Sequence, residues 1–252
     1  MHTQRDSILQ PQVDHLVAGT NPRVIARAAG VLLLLTIVGG VFAQGYVSNG
    51  LISSSDAAVT ARNILANRSL FQISFSVFLI EMACQIASTA LFYRLLSPVN
   101  RDIAIVATFI DLSASIMKTM TRVFYITPLF VLSVPPVLKA FNADQLQALA
   151  MLLLKINDRG AGIAVAFFGV SGVLKGFLIF RSTFLPRALG ILCILAGAGW
   201  LRYFYLPFTF PSFTFIAVFA LLGAAVQIFW LCVYGVDAER WKERYRLSMQ
   251  VP

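Results

Sequence analysis

Residues 103–132 read IAIVATFIDLSASIMKTMTRVFYITPLFVL. The run is long and apolar enough to cross a bilayer, since a helix rising 1.5 Å per residue needs about 20 residues to traverse the hydrocarbon. Yet it contains Asp111, Lys118 and Arg122. With Ser115, these fall at i, i+4, i+7 and i+11, a single stripe on a helix. A charge near the bilayer centre costs about 2.5–3.5 kcal/mol on insertion scales. The stripe must therefore be paired, wetted or used.

The partner is found just upstream. A second apolar span, about 70 to 96, carries Glu81 and Gln85, and the turn Ser97-Pro98-Val99-Asn100-Arg101-Asp102 joins it to the first. So short a turn makes the two spans antiparallel. Glu81 lies 15 residues before Leu96, and Lys118 lies 15 after Ile103, so the two share a level. The register predicts a Glu81–Lys118 pair, with Gln85 one turn from Glu81 and Arg122 close by on the outer side. Asp111 falls nearer the cytoplasm, within reach of Lys175. A buried salt-bridge lock and a wet, ion- or proton-linked site both fit this pattern.

Four more spans follow the same reading, at about 22 to 46, 160 to 180, a stretch between Pro186 and Pro207, and 212 to 235. The chain is 58% hydrophobic and only 12% charged, about half the charge that a soluble domain of 252 residues needs. The fold expected is all-α: a polytopic integral membrane bundle of about six transmembrane helices. Residues 1–21 read as a polar tail, 22–236 as the membrane domain and 237–252 as a basic amphipathic tail. Asn21 followed by Pro22 opens the first helix with a cap. Val31 to Val38, with Val41-Phe42-Ala43, resembles a signal peptide, but the long preceding tail and the length of the helix favour a retained span.

Two short interfacial helices are expected on the outer side. One is capped by Ser55 or Asp56, with Ala58, Ala61, Ile64 and Leu65 on one face. The other follows the capping-box spacing of Asn142 and Gln145, or else forms an early start to the fourth span. Lys155, Asp158 and Arg159 then mark the outer end of that span. Twelve lysines and arginines fall on one side and six on the other, so both termini are expected in the cytoplasm of a plasma-membrane protein.

The net charge of +9 does not point to nucleic acid, because the basic residues flank apolar runs and form no stripe. Arg23, Arg27, Arg240, Lys242, Arg244 and Arg246 are placed to meet anionic headgroups of the lipid bilayer. Arg202, with Trp200, Tyr203 and Tyr205, reads as an interfacial belt. Gly172 and Gly176 give the fourth span a small-residue face for close helix packing. The turns around Arg94 to Arg101 and Arg181 to Arg187 look alike, which fits either a remnant of an internal repeat or, more simply, the turn residues and flanking arginines that recur at every cytoplasmic turn.

Catalytic chemistry finds little support. Gly169-Val170-Ser171-Gly172 matches the short serine motif of rhomboid-type proteases, but the only histidines are His2 and His15 in the tail, so Ser171 has no base. Ser115 and Lys118 have serine–lysine spacing, yet Glu81 and Asp111 would hold the lysine charged. Cys84, Cys193 and Cys232 show no metal spacing and read as packing residues. No cofactor, no metal and no enzymatic activity are expected. The alternatives left are a small transporter or ion- or proton-coupled permeation protein for an unknown small solute or ion, and a non-catalytic structural, sensing or lipid-interaction module.

Several short motifs occur in a characteristic order. They are Ala26-Arg27-Ala28-Ala29-Gly30, Asp56-Ala57-Ala58, Asn63-Ile64-Leu65-Ala66, Leu95-Leu96-Ser97-Pro98-Val99-Asn100-Arg101, Phe180-Arg181 and Leu185-Pro186-Arg187-Ala188-Leu189-Gly190. In this the chain resembles a bacterial integral-membrane family known as domain of unknown function 4386, over about residues 22 to 235. The resemblance implies a multi-pass membrane protein and supplies no catalytic residues. Asp111 and Lys118 lie outside its matched motifs.

Overall fold

The structure, a computed structural model, describes the backbone of residues 21–133, 135–204 and 213–250, and their side chains except at 213–217 and 250. The N-terminal tail, Tyr205, Pro207 and Pro211 lie outside the described residues. Every element among those described is helical. Helix α1 spans Pro22–Leu51, α2 Ala57–Ala66, α3 Arg68–Leu96 and α4 Arg101–Leu132. Helix α5 spans Ala143–Arg181, α6 Arg187–Phe204 with a tighter last turn, α7 Phe213–Val233 and α8 Ala238–Gln250.

The caps explain the boundaries. Asn21 accepts from the N–H groups of Arg23 and Val24, and Pro22 occupies the first turn, where a missing N–H costs nothing. Asp56 caps α2 and Asn100 caps α4 through the N–H of Ile103. Asn142 and Gln145 form a reciprocal capping box at the start of α5. Gly235, at φ 68°, adopts the left-handed turn that ends α7, and its N–H donates to the Trp230 carbonyl at 2.9 Å. Past that turn the chain bends by 96° into α8.

α1, α3, α4, α5 and α6 are each long and apolar enough to cross a membrane, and α7 with α8 forms a sixth, bent candidate. The spans pack as a closed ring in chain order: α1 on α3, α3 on α4, α4 on α5, α5 on α6, α6 on α7 and α7 back on α1. Large apolar side chains such as Phe109, Met120, Phe130 and Phe219 stand exposed on the outside. That arrangement suits a lipid solvent, in which outward apolar faces cost nothing.

The interior is layered. At the end holding α8, Ile25, Phe92, Leu95, Leu178, Leu189 and Trp241 form one apolar core. At the opposite end Val47, Ile64, Phe71, Phe78, Tyr125 and Leu154 form another. Glu81, Asp111 and Lys118 lie between these two cores.

Of the two readings open for the stretch after Asn142, the structure bears out the early start: residues from Ala143 run unbroken into the fourth span as the 39-residue α5, with no separate interfacial helix. At 1.5 Å per residue α5 is about 58 Å long and projects beyond the hydrocarbon. No proline interrupts it, and Gly160 lets it cross against Thr121 of α4. Lys155, Asp158 and Arg159 consequently sit within a continuous helix and not at its start. In α2 the inward face is formed by Thr60, Ala61 and Ile64, with Ala58 exposed. Thr60 turns inward because its hydroxyl donates to the carbonyls of Ser53 and Asp56. The helix packs on α5 and α4 at the end of the bundle.

Candidate functional site within the helix ring

Two ion pairs occupy the middle of the ring. Lys118 Nζ on α4 donates to Glu81 Oε1 on α3 at 2.7 Å. Lys175 Nζ on α5 lies 3.2 Å from Asp111 Oδ1 on α4. Asp111 Oδ2 also accepts from Gln85 Nε2 at 3.2 Å and from the Thr89 hydroxyl in a short contact. Gln85, one turn from Glu81 on α3, thus contacts the Asp111–Lys175 pair. The seven residues separating Asp111 from Lys118 set the pairs about 10 Å apart along α4.

Local sequence makes this possible. The Gly39-Gly40 step of α1 lies against Glu81, and a Cβ on Gly40 would stand 3.4 Å from its Oε1. Just beyond, α1 widens into π-helical turns over Val41–Ser48. This brings the Ser48 hydroxyl, with that of Ser74, to 3.1 Å from the Tyr125 hydroxyl. The Ser115 hydroxyl is spent on the Asp111 carbonyl at 2.9 Å, so it makes no serine–lysine pair with Lys118.

Arg122 stands on the far side of Lys118 from Asp111 and is buried. Its guanidinium donates to Asn157 Oδ1 at 3.2 Å and stacks 3.5 Å from the Phe78 ring centroid. Asn157 Nδ2 donates in turn to Asp158 Oδ1 at 3.0 Å. Asn157 was not apparent as a site residue from sequence, although a polar amide in an apolar helix beside Asp158 is a signal of the right kind. Thr89 was missed too, because hydroxyls in spans usually bond their own helix, and this one also bonds the Gln85 carbonyl.

A cavity of about 320 Å³ lies inside the ring and is lined from all six spans. Glu81, Gln85, Asp111, Lys118, Lys175 and Gln227 supply its polar wall, and the rest is mainly apolar. The carboxylates are 5% and 1% exposed, whereas Lys118 and Lys175 are 16% and 21% exposed. The acids are therefore sunk in the wall and the ammonium groups are the more accessible partners. Size and lining match those of small-molecule sites, which are mostly apolar with a few convergent polar groups.

The remaining candidates have other surroundings. Ser171 is buried and donates to the Ala107 carbonyl at 3.0 Å, as a helix-packing hydroxyl does. Gly172 and Gly176 do face α6, but Gly169, Gly190 and Gly197 share the seam. A Cβ on Gly176 would stand 2.8 Å from the Gly190 carbonyl oxygen, and one on Gly169 would stand 2.7 Å from that of Gly197. The Trp200 and Tyr203 rings lie 6.1 Å apart, tilted by 37°, at the end of α6, where Arg202 also lies. Arg27 reaches the Val233 carbonyl at 3.4 Å, while Arg23, Arg240 and Arg246 are exposed and Lys242 and Arg244 half-buried.

The family model described as Domain of unknown function (DUF4386) matches residues 28–235. An uncharacterized protein of Archaeoglobus fulgidus is 31% identical over 88 residues, which are 33% of this chain and 54% of that protein. The chain thus spans about half the length of the curated relative it matches. No solved structure matches.

Proposed function

We propose that this chain, which belongs to the DUF4386 family, is a permeation or transport protein for a small solute or ion, with Glu81, Lys118, Asp111 and Lys175 as its polar intramembrane groups. The observation that carries this reading is the cavity of about 320 Å³ on which both ion pairs border. Intramembrane ionisable groups that face such a space are functional candidates by default. A solute bearing a carboxylate could take the ammonium of Lys118 or Lys175, and the released acid could accept a proton. Placement in the plasma membrane with both termini in the cytoplasm is part of the same proposal, supported by the bias of basic residues to one side. No residue is assigned a catalytic role.

A second reading, a structural module, is favoured by the shortness of the Glu81–Lys118 contact and the burial of both carboxylates. Proteoliposomes separate the two. With a potassium diffusion potential clamped by valinomycin and a pH-sensitive dye inside, the protein is expected to admit protons faster than empty vesicles. Glu81→Gln should abolish that flux in protein that still purifies folded, with an unfolding temperature below the parent's because Lys118 loses its counter-charge. If no flux occurs, and exchanging the charges as Glu81→Lys with Lys118→Glu rescues a protein that either change alone destabilises, the structural reading prevails.

A further inference from the structure

The end of the bundle that holds α8 carries a second concavity, of about 700 Å³, distinct from the central cavity. Four arginines from three elements line it: Arg181 at the end of α5, Arg187 at the start of α6, and Arg240 and Arg244 on α8. Asn100 and Thr183 lie beside them. Among the described residues one carboxylate is paired into this group, as Arg240 Nε lies 3.3 Å from Asp237 Oδ2. Arg240 Nη1 also donates to the Thr183 carbonyl at 3.3 Å, which fixes α8 across the mouth. Among the described residues Arg181, Arg187 and Arg244 make no ion pair.

Positive-inside bias accounts for arginines near helix ends, but not for their convergence on one pocket with so little counter-charge. The Arg181 guanidinium lies 5.1 Å from the centre of the Phe177 ring and that of Arg187 lies 5.8 Å from Phe180, within cation–π range. Such contacts leave the N–H donors free for an anion. Asn100 uses its amide oxygen to cap α4 and keeps its NH₂ donors available. Apart from the Thr183 carbonyl and the Asp237 carboxylate, both engaged by Arg240, the groups named here are donors or cations.

We propose that this pocket is a binding site for a phosphate-bearing anion. Two-pronged guanidinium donors match phosphate oxygens geometrically, and a basic pocket at a membrane face can take the headgroup of an anionic phospholipid. A phosphodiester headgroup and a free phosphate compound offer the same chemistry, and the test separates them. The proposal stands independently of transport.

The full chain in a neutral detergent is titrated with short-chain phosphatidylglycerol, with phosphatidylcholine of equal chain length, and with glycerol 3-phosphate, and thermal unfolding is followed. Saturable stabilisation by phosphatidylglycerol alone assigns the site to a lipid headgroup. Saturable stabilisation by glycerol 3-phosphate as well assigns it to a soluble phosphate. In either case the double variant R181Q/R187Q should bind about tenfold more weakly, whereas R94Q/R101Q, which removes the same charge at the same end of the bundle but outside the pocket, should not. Equal losses in the two double variants would mean diffuse surface attraction and overturn the site, as would absence of saturation with both anions. If R181Q/R187Q does not fold, R181K/R187K keeps the charge but loses the forked donors. It should still bind several-fold more weakly, and unchanged affinity would overturn the proposal.

Discussion

Glu81 and Lys118 meet at 2.7 Å, which offsets part of the cost of taking both charges out of water, while Gln85 bonds the second acid, Asp111. A buried pair adds little net stability compared with an apolar pair of the same volume, whereas removing one partner strands the other. Glu81→Leu alone is therefore expected to cost about 3 kcal/mol of unfolding free energy. Adding Lys118→Met should recover most of that loss in a detergent unfolding series. A double variant no more stable than the single would show that the two groups are not coupled. This pair was legible in the sequence because two counts of 15 residues from one short turn set both groups at one depth. Its neighbour Arg122 was legible as a charge but not by its partners. Asn157 and Phe78 come from other helices whose rotation no count along the chain determines.

Among the elements, α5 and α6 depend on small residues rather than on apolar bulk. Their backbones approach closely because Gly169 and Gly176 face Gly197 and Gly190, and a methyl group at any of these positions meets backbone atoms that cannot turn aside. Gly176→Ala should lower stability by about 1–3 kcal/mol, the usual cost of overpacking. Gly45→Ala, where the nearest atom is a Val41 methyl at 3.9 Å, should be nearly silent in the same unfolding assay. Equal effects would mean that the α5–α6 seam is not close-packed. Half of the seam was visible as Gly172 and Gly176 at helical spacing. The other half was not, since Gly190 and Gly197 are seven apart and signify contact only once the partner helix is known. The length of α5 was ambiguous for a related reason: a good capping box marks where a helix can start but does not say whether it stops before the next span.

At the scale of the whole molecule, hydropathy was enough for the all-helical membrane class and for the candidate spans. The closed ring in chain order was not legible, because the outward faces of the spans are as apolar as the packed ones. The ring is what converts two ion pairs into the polar wall of a cavity between two apolar cores. Whether water reaches that wall from an aqueous phase decides between a pathway and a lock. Cys193 borders the cavity beside Gln227 and can report on it, since its Sγ lies 3.3 Å from Gln227 Oε1. The direct measurement is modification of Cys193 by a membrane-impermeant anionic methanethiosulfonate in proteoliposomes. It uses a protein carrying Cys84→Ser and Cys232→Ser, with the added mass read on the intact chain. The account predicts labelling of the folded protein from one face of the membrane, slowed when Lys118→Met and Lys175→Met remove the cations. A thiol that stays unlabelled until the protein is denatured would contradict it and leave the charges as a dry lock.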